Sequence, residues 1–358
     1  MRSPPKKSKI TSRISATDYH LAMSMQTTRL GRTGLTVSRL ALGTMTFGLQ
    51  TDEPTSFRIL DKAAEGGINF IDTADVYPLG GDWRTAGGTE EILGRWLKAK
   101  GAAARGNFIV ATKAFGAMGP NDWDKGASRK HLLAAIDASL ARLQLDHVDL
   151  YQLHHDDRDT PLDETIEAMD TIVKSGRARY VGVSNFLSYR LARALGRADF
   201  LRLTRFVCVQ PRYSLLFREI ERELLPLAQE EGLGVIPYNP LAGGLLTGKY
   251  AAGSAPQAQT RFTMGTATQM YQDRYWNERC FASVGQLQAL AQQAGVPLAT
   301  LAVAWTMANP QVTAPLLGAS KPEQLDDTLA AAQYRLDADL KKQLDDISAE
   351  YRKGDAPR

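Results

Sequence analysis

Side chains able to donate or hold a proton follow three consecutive apolar segments of the chain. Asp72 ends the first segment, with Tyr77 five residues further on; Lys113 ends the second, and His154 ends the third. A phenol has a usual pKa of about 10, so a tyrosine that donates a proton near pH 7 needs a cation or hydrogen bonds beside it. A lysine provides the cation, and an aspartate can hold the lysine in place. These residue types therefore suit general acid catalysis at an oxygen that gains negative charge.

Apolar runs alternate with segments of helical periodicity along most of the chain. The first predicted strand is 40–43, and later strands end near Ala74, Lys113, His154, Asn185, Tyr213, Pro240 and Gly318. Predicted helices cover 55–65, 90–99, 128–143, 163–175, 187–198, 218–231 and 323–332, with further helices at 281–294, 298–309 and 337–351.

Eight strands that alternate with helices predict a (β/α)8 TIM barrel of the α/β class, rather than an open sheet. In such a barrel the catalytic side chains collect at the carboxyl ends of the strands, where the four residues lie. No GxGxxG motif follows the first predicted strand, which disfavours the dinucleotide-binding open sheet. Two long loops, 78–88 and 250–280, contain aromatic residues that either line a substrate mouth or pack onto the barrel.

The four residues at successive strand ends resemble the aldo-keto reductase family, in its bacterial and potassium-channel β-subunit-like branch. The resemblance runs over about 29–336 and implies a catalytic tetrad. Tyr77 would be the general acid during hydride transfer to a carbonyl, Lys113 would stabilise the phenolate, and Asp72 would pair with Lys113. His154 would orient the carbonyl oxygen as a neutral hydrogen-bond donor.

The same resemblance implies that a β-hairpin at 27–38 would close the bottom of the barrel. His155 would point to the opposite side of its strand from His154 and would have a structural role. Arg212 stands where an acidic or small residue is more usual in the family, and this departure weakens any transfer of substrate identity.

The resemblance also implies an NADPH or NADP+ site spread over the strand ends, with no metal. It assigns Ser184, Asn185 and Gln210 to the carboxamide, Tyr238 to stacking on the nicotinamide, and Leu241, Ala242, Gly243, Lys249 and Arg261 to the pyrophosphate. It assigns Ser320 and Lys321 to the 2′-phosphate, Gln324 and Asp327 to the adenosine, and Thr44, Met45 and Gln50 to contacts after the first strand. Further cofactor contacts are expected from Asp72, Asn239, Pro240, Gly318 and Thr328, of which Thr328 replaces the asparagine common at the adenine side in the family.

The net charge of +4 resides in the first 24 residues. The remainder holds 38 basic and 38 acidic residues, so composition gives no basis for nucleic-acid or anionic-membrane binding. No apolar run approaches the roughly 18 residues that a membrane span needs, and two cysteines in apolar surroundings favour the reducing cytoplasm. Residues 1–24 are predicted to be a disordered extension, a transit segment or an upstream start, ahead of a barrel at 25–358.

Three functions remain open at this point. The first is an NADPH-dependent reductase of aldehydes and ketones, with a small-molecule carbonyl substrate. The second is an NADPH-binding regulatory or scaffold subunit with little turnover, like the potassium-channel β subunits. The third is an alcohol dehydrogenase that works in the oxidative direction.

Overall fold

The structure is a computed structural model that describes residues 25–352. The predicted extension at 1–24 lies outside the described residues. Within 25–352, no helix is both long enough and apolar enough to cross a membrane.

Eight parallel strands form one sheet, preceded by an antiparallel hairpin of β1 (Thr27–Arg29) and β2 (Thr36–Ser38). The parallel strands are β3 Ala41–Gly43, β4 Phe70–Asp72, β5 Ile109–Ala114, β6 Val148–Leu153, β7 Ala178–Ser184, β8 Cys208–Gln210, β9 Gly234–Val235 and β10 Leu316–Gly318. Their order is β10-β3-β4-β5-β6-β7-β8-β9, so each strand from β3 to β9 pairs with the next one along the chain.

Backbone hydrogen bonds join the two ends of this sheet. The amide of Thr313 donates to the carbonyl of Val235 over 2.7 Å, and the amide of Leu316 donates to the carbonyl of Pro237 over 2.8 Å. The sheet is thereby closed into a cylinder, which leaves no open edge. The predicted (β/α)8 barrel is confirmed.

Helices cover the outside of the barrel. They are α1 Glu53–Glu65, α2 Gly88–Lys100, α3 Ala102–Arg105, α4 Arg129–Leu143, α5 Leu162–Lys174, α6 Ser188–Leu201, α7 Leu224–Glu231, α8 Thr268–Tyr275, α9 Glu278–Gln293, α10 Leu298–Met307, α11 Leu325–Ala330 and α12 Ala338–Ile347. Capping side chains fix several starts, as where Asp52 accepts from the amide of Thr55 and Ser128 from that of His131. Each cap satisfies an amide that has no partner inside its helix.

The hairpin closes the amino-terminal end of the barrel, as the family resemblance implied. Leu30 is fully buried and packs with small and branched side chains of the strands in the barrel interior. The amide of Arg32 donates to the carbonyl of Gly232 over 2.9 Å. Gly31 has φ +58°, and a Cβ there would lie 2.4 Å from the Gly232 oxygen, so this turn requires glycine.

Three details differ from the prediction. The predicted helix at 218–231 is a 3-10 turn, Glu219–Glu221, followed by α7, and the strand expected to reach Pro240 ends at Val235. The loop at 250–280 contains α8. Its aromatic side chains mostly pack against one another rather than line an open mouth: Phe262, Tyr271 and Tyr275 are buried.

Leu30→Ala should lower the free energy of unfolding by about 2–5 kcal/mol, because it leaves a cavity where the hairpin plugs the barrel. The exposed Leu49 is the matched control, and Leu49→Ala should change the same free energy by less than about 0.5 kcal/mol. Urea unfolding followed by circular dichroism measures both. Equal effects of the two substitutions would contradict the plug.

Candidate active site

The carboxylate of Asp72 is the centre of a buried polar network at the carboxyl end of the barrel. Lys113 pairs with Oδ1 of Asp72 and also donates to the carbonyl of Thr73, 2.7 Å away. Oδ2 of Asp72 accepts hydrogen bonds from Nε2 of Gln152 (3.0 Å) and from Nε2 of Gln210 (2.9 Å). The network joins β4, β5, β6 and β8 through side chains that are shielded from water.

Tyr77 is held above this network by its backbone. Its carbonyl accepts from the amides of Gly87 (3.1 Å) and Thr89 (3.4 Å), which ties the loop after β4 to the start of α2. The Nζ of Lys113 lies 5.2 Å from the centroid of the Tyr77 ring. The phenol is thus next to the buried ion pair.

Burial is the main cause that raises the pKa of Tyr77 well above its usual value, and the negative charge of Asp72 adds to it. The positive charge of Arg261 acts in the opposite direction. The Lys113 ammonium is paired with Asp72 and lies beside the Tyr77 ring, and Arg261 adds a second positive charge near the phenol. The role of Lys113 in stabilising the phenolate stays a prediction.

His154 meets Tyr77 edge to face, with ring centroids 5.6 Å apart and planes at 80°. Burial, followed by the positive charges of Lys113 and His155, lowers the pKa of His154 well below its usual value. The imidazole is therefore neutral at pH 7 and keeps one N–H to donate. The expectation that His155 points away was wrong, because its ring stacks on His154 at 5.2 Å. Strand β6 ends at Leu153, so the alternation of side chains does not extend to this position.

The residues assigned to the carboxamide and nicotinamide lie side by side at the ends of β7, β8 and β9. The Asn185 side chain donates to the carbonyl of His154 over 2.9 Å and accepts from the hydroxyl of Tyr238 over 2.8 Å. Ser184 donates to the carbonyl of Gln210 over 2.8 Å. Asn185 has φ +58°, a left-handed conformation that asparagine tolerates.

A group of three cations lies between the loop after β9 and the end of β10. Burial and the positive charges of Arg261 and Lys321 lower the pKa of Lys249. A Cβ at Gly318 would lie 2.8 Å from Nη2 of Arg261, so the backbone passes close to the guanidinium. Concentrated positive charge of this kind favours an anionic ligand.

Some residues assigned to the adenosine and the 2′-phosphate are hydrogen-bonded to each other or within their own helix. The amide of Ser320 donates to Oε1 of Gln324 over 2.8 Å, so these two groups satisfy each other. Thr328 is buried, and its hydroxyl donates to the carbonyl of Leu325, 3.2 Å away inside α11. Asp327 is exposed. The Thr328 hydroxyl therefore has a hydrogen-bond partner within its own helix, and its assignment to the adenosine stays a prediction.

Residues after β3 connect this region to the network. Thr44 donates its hydroxyl to the carbonyl of Asp72 over 3.0 Å, and the sulfur of Met45 lies 3.6 Å from Arg261. Gln50 donates to the carbonyl of Gln259 over 2.8 Å, across to the loop after β9.

Two buried amide atoms in the predicted cofactor set lack a partner within the described residues: Oε1 of Gln50 and Nδ2 of Asn239. Buried polar atoms are normally hydrogen-bonded. One orphan is an acceptor, and the other is a donor. A dinucleotide with phosphate and amide groups fits this donor set.

A sequence model described as the Aldo/keto reductase family matches residues 39–349. The chain belongs to the aldo/keto reductase family. It is 43% identical over 328 residues to a Bacillus subtilis protein described as the uncharacterized oxidoreductase YrpG, covering 90% of this chain and 96% of that protein.

Other aldo/keto reductase relatives have different descriptions. A rice protein described as a probable voltage-gated potassium channel subunit beta is 38% identical over 310 residues, covering 86% of this chain and 91% of the relative. The Escherichia coli protein tas is 34% identical over 348 residues, covering 91% and 99% of the two chains.

Sequence reasoning missed Gln152, which is fully buried and donates to Asp72. The signal was present, because an amide side chain interrupts the apolar run 148–153 and a buried amide needs a partner.

The depressed pKa of His154 predicts a loss of stability in acid. The unfolded chain takes up a proton below its usual pKa of about 6.5 while the folded imidazole does not, so stability falls as the pH drops through this value. The pKa values of His131 and His155 are shifted in the same direction. His154→Gln should therefore make the slope of unfolding free energy against pH shallower by up to about 1.4 kcal/mol per pH unit.

Urea unfolding between about pH 7.5 and about pH 5.5 measures this slope. If the free energy of unfolding depended on pH in the same way in the parent and in His154→Gln, the imidazole would be protonated equally in the folded and unfolded chains, which would contradict this prediction.

Proposed function

We propose that this aldo/keto reductase reduces aldehydes or ketones to alcohols with NADPH. The observation that carries the proposal is the buried Asp72–Lys113 pair directly beneath Tyr77 and His154. NADPH, when bound, supplies a hydride. The chain supplies a proton donor and a hydrogen bond to the oxygen that becomes negative.

Tyr77 acts as the general acid in this proposal. Because burial raises the pKa of the phenol, Tyr77 holds its proton until negative charge develops on the carbonyl oxygen. Lys113, held by Asp72 beside the Tyr77 ring, stabilises the phenolate that remains, and the positive charge of Arg261 acts in the same direction. Neutral His154 donates a hydrogen bond that orients the carbonyl and stabilises its developing charge.

The cation group supports the choice of NADPH over NADH. Lys249, Arg261 and Lys321 lie close enough for their charges to act on one another. The orphaned amide atoms of Gln50 and Asn239 would also gain partners on the ligand. The two free, buried cysteines are consistent with a reducing compartment, and we infer the cytoplasm.

A second candidate is a regulatory subunit that binds NADPH with little turnover. It is favoured by the identity to the rice protein whose name is a probable potassium channel subunit beta. The third candidate, an alcohol dehydrogenase, would use the same side chains for the reverse reaction, the oxidation of an alcohol, and differs from the reductase only in the direction of the reaction.

Tyr77→Phe should lower kcat for carbonyl reduction at least about a hundredfold, because positioned general acids contribute about 10²–10⁴ in rate. The affinity for NADPH should change less than about threefold, since the ring and its packing remain. Tyr334→Phe, at a half-buried tyrosine away from the strand ends, is the matched control and should leave kcat unchanged. Steady-state absorbance of NADPH and fluorescence titration measure the two quantities.

Undiminished turnover by Tyr77→Phe would exclude the general acid assignment. Tight NADPH binding by the parent with no reduction across a broad carbonyl panel would instead favour the regulatory subunit.

NADPH should bind at least about tenfold more tightly than NADH, because charge-assisted contacts contribute roughly 1.5–3 kcal/mol. Lys321→Glu should remove most of this preference, whereas Lys98→Glu, at an exposed lysine near the end of α2, should preserve it. Fluorescence titrations with both cofactors give the ratio. Equal affinities in the parent would contradict the assignment of the 2′-phosphate.

A further inference from the structure

Arg212 and Arg274 are half-buried guanidinium groups for which the described residues provide no carboxylate partner. Two other half-buried arginines do have such partners: Arg190 pairs with Asp156, and Arg205 pairs with two carboxylates. A charge that is partly removed from water without a counter-ion costs free energy. Two such charges near each other are a feature that an anionic ligand would stabilise.

Arg212 is fixed at the mouth of the barrel, two residues beyond β8. Its Cζ lies 3.5 Å from the centroid of the Phe217 ring, so the guanidinium is stacked on the aromatic face. Its backbone forms a parallel bridge with Tyr238, the residue assigned to the nicotinamide. Stacking restricts the plane of the guanidinium and leaves its N–H edges available to a ligand.

Arg274 approaches the same place from α8. Its guanidinium is close enough to the Tyr238 hydroxyl to interact with it directly, and its positive charge also acts on His155. His155 stacks on His154, the proposed carbonyl orienter. Both arginines therefore lie beside Tyr238, whose hydroxyl donates to Asn185, and the Asn185 amide in turn donates to the carbonyl of His154.

We propose that Arg212 and Arg274 bind the carboxylate of the substrate, so that the enzyme prefers aldehydes or ketones that carry a carboxylate a few bonds from the carbonyl. The proposal rests on the proposed reductase function. Guanidinium groups match the two oxygens of a carboxylate with paired hydrogen bonds. Arg212 is bridged to Tyr238, whose hydroxyl donates to Asn185 over 2.8 Å, and Asn185 donates to the carbonyl of His154 over 2.9 Å, so the arginine pair and the proposed carbonyl orienter border the same region.

The test compares 4-carboxybenzaldehyde with its neutral methyl ester, methyl 4-formylbenzoate, in the NADPH-loaded enzyme. The parent should show kcat/KM at least about tenfold higher for the acid, as expected for charge-assisted contacts. Arg212→Gln and Arg274→Gln should each reduce this acid-to-ester ratio severalfold, and the double variant should bring it to about one. Arg335→Gln, at an exposed arginine outside the site, is the matched control and should retain the parent ratio.

If the parent reduces both aldehydes with an acid-to-ester ratio of kcat/KM of about one, the proposed carboxylate site is overturned, and the proposed reductase function still stands. If neither aldehyde is reduced, the proposed function fails, and calorimetry with 4-(hydroxymethyl)benzoate and its methyl ester tests the site independently. Tighter binding of the carboxylate that is lost in Arg274→Gln supports the site, and equal binding overturns it. Thermal melts of each variant verify folding, and Arg274→Lys, which keeps the charge, should retain part of the preference.

Discussion

The buried ion pair of Asp72 and Lys113 is the interaction on which the mouth of the barrel depends. Removing two charges from water is costly, and the pair is tolerated because further hydrogen bonds satisfy the remaining donors of the ammonium and acceptors of the carboxylate. Lys113 donates to the carbonyl of Thr73, while the side chains of Gln152 and Gln210 donate to the carboxylate of Asp72. Lys113, Gln152 and Gln210, which neutralise or hydrogen-bond the carboxylate of Asp72, therefore fix the relative positions of four strand ends.

Burial acts on the two groups above this pair in opposite directions. It raises the pKa of Tyr77 and lowers the pKa of His154, because in each case it disfavours the charged form. Both side chains are consequently neutral at pH 7, one as an acid that retains its proton and the other as a hydrogen-bond donor. A single, largely buried environment thus favours the neutral form of both groups, which suits them to act on an oxygen that becomes negative.

The barrel and the meeting of the strand-end residues were predictable, because periodicity and the position of a residue at a strand end are local properties. The surroundings depend on contacts between distant segments, and these were not predictable. The orientation of His155 depends on where β6 ends, and the position of Arg274 depends on how α8 packs. Thr328 was assigned to the ligand by resemblance, yet its hydroxyl is bonded within α11. The assignments of Tyr77 and the cofactor residues remain predictions.

A double-mutant cycle on the free energy of unfolding tests the central ion pair most directly. Asp72→Asn and Lys113→Met should each cost about 3–5 kcal/mol, because each leaves the other charge buried without a partner. The double variant contains neither charge, so its cost should be smaller than the sum of the two single costs by about 0.5–3 kcal/mol. Costs that simply add would show that the two residues act independently and would contradict the account.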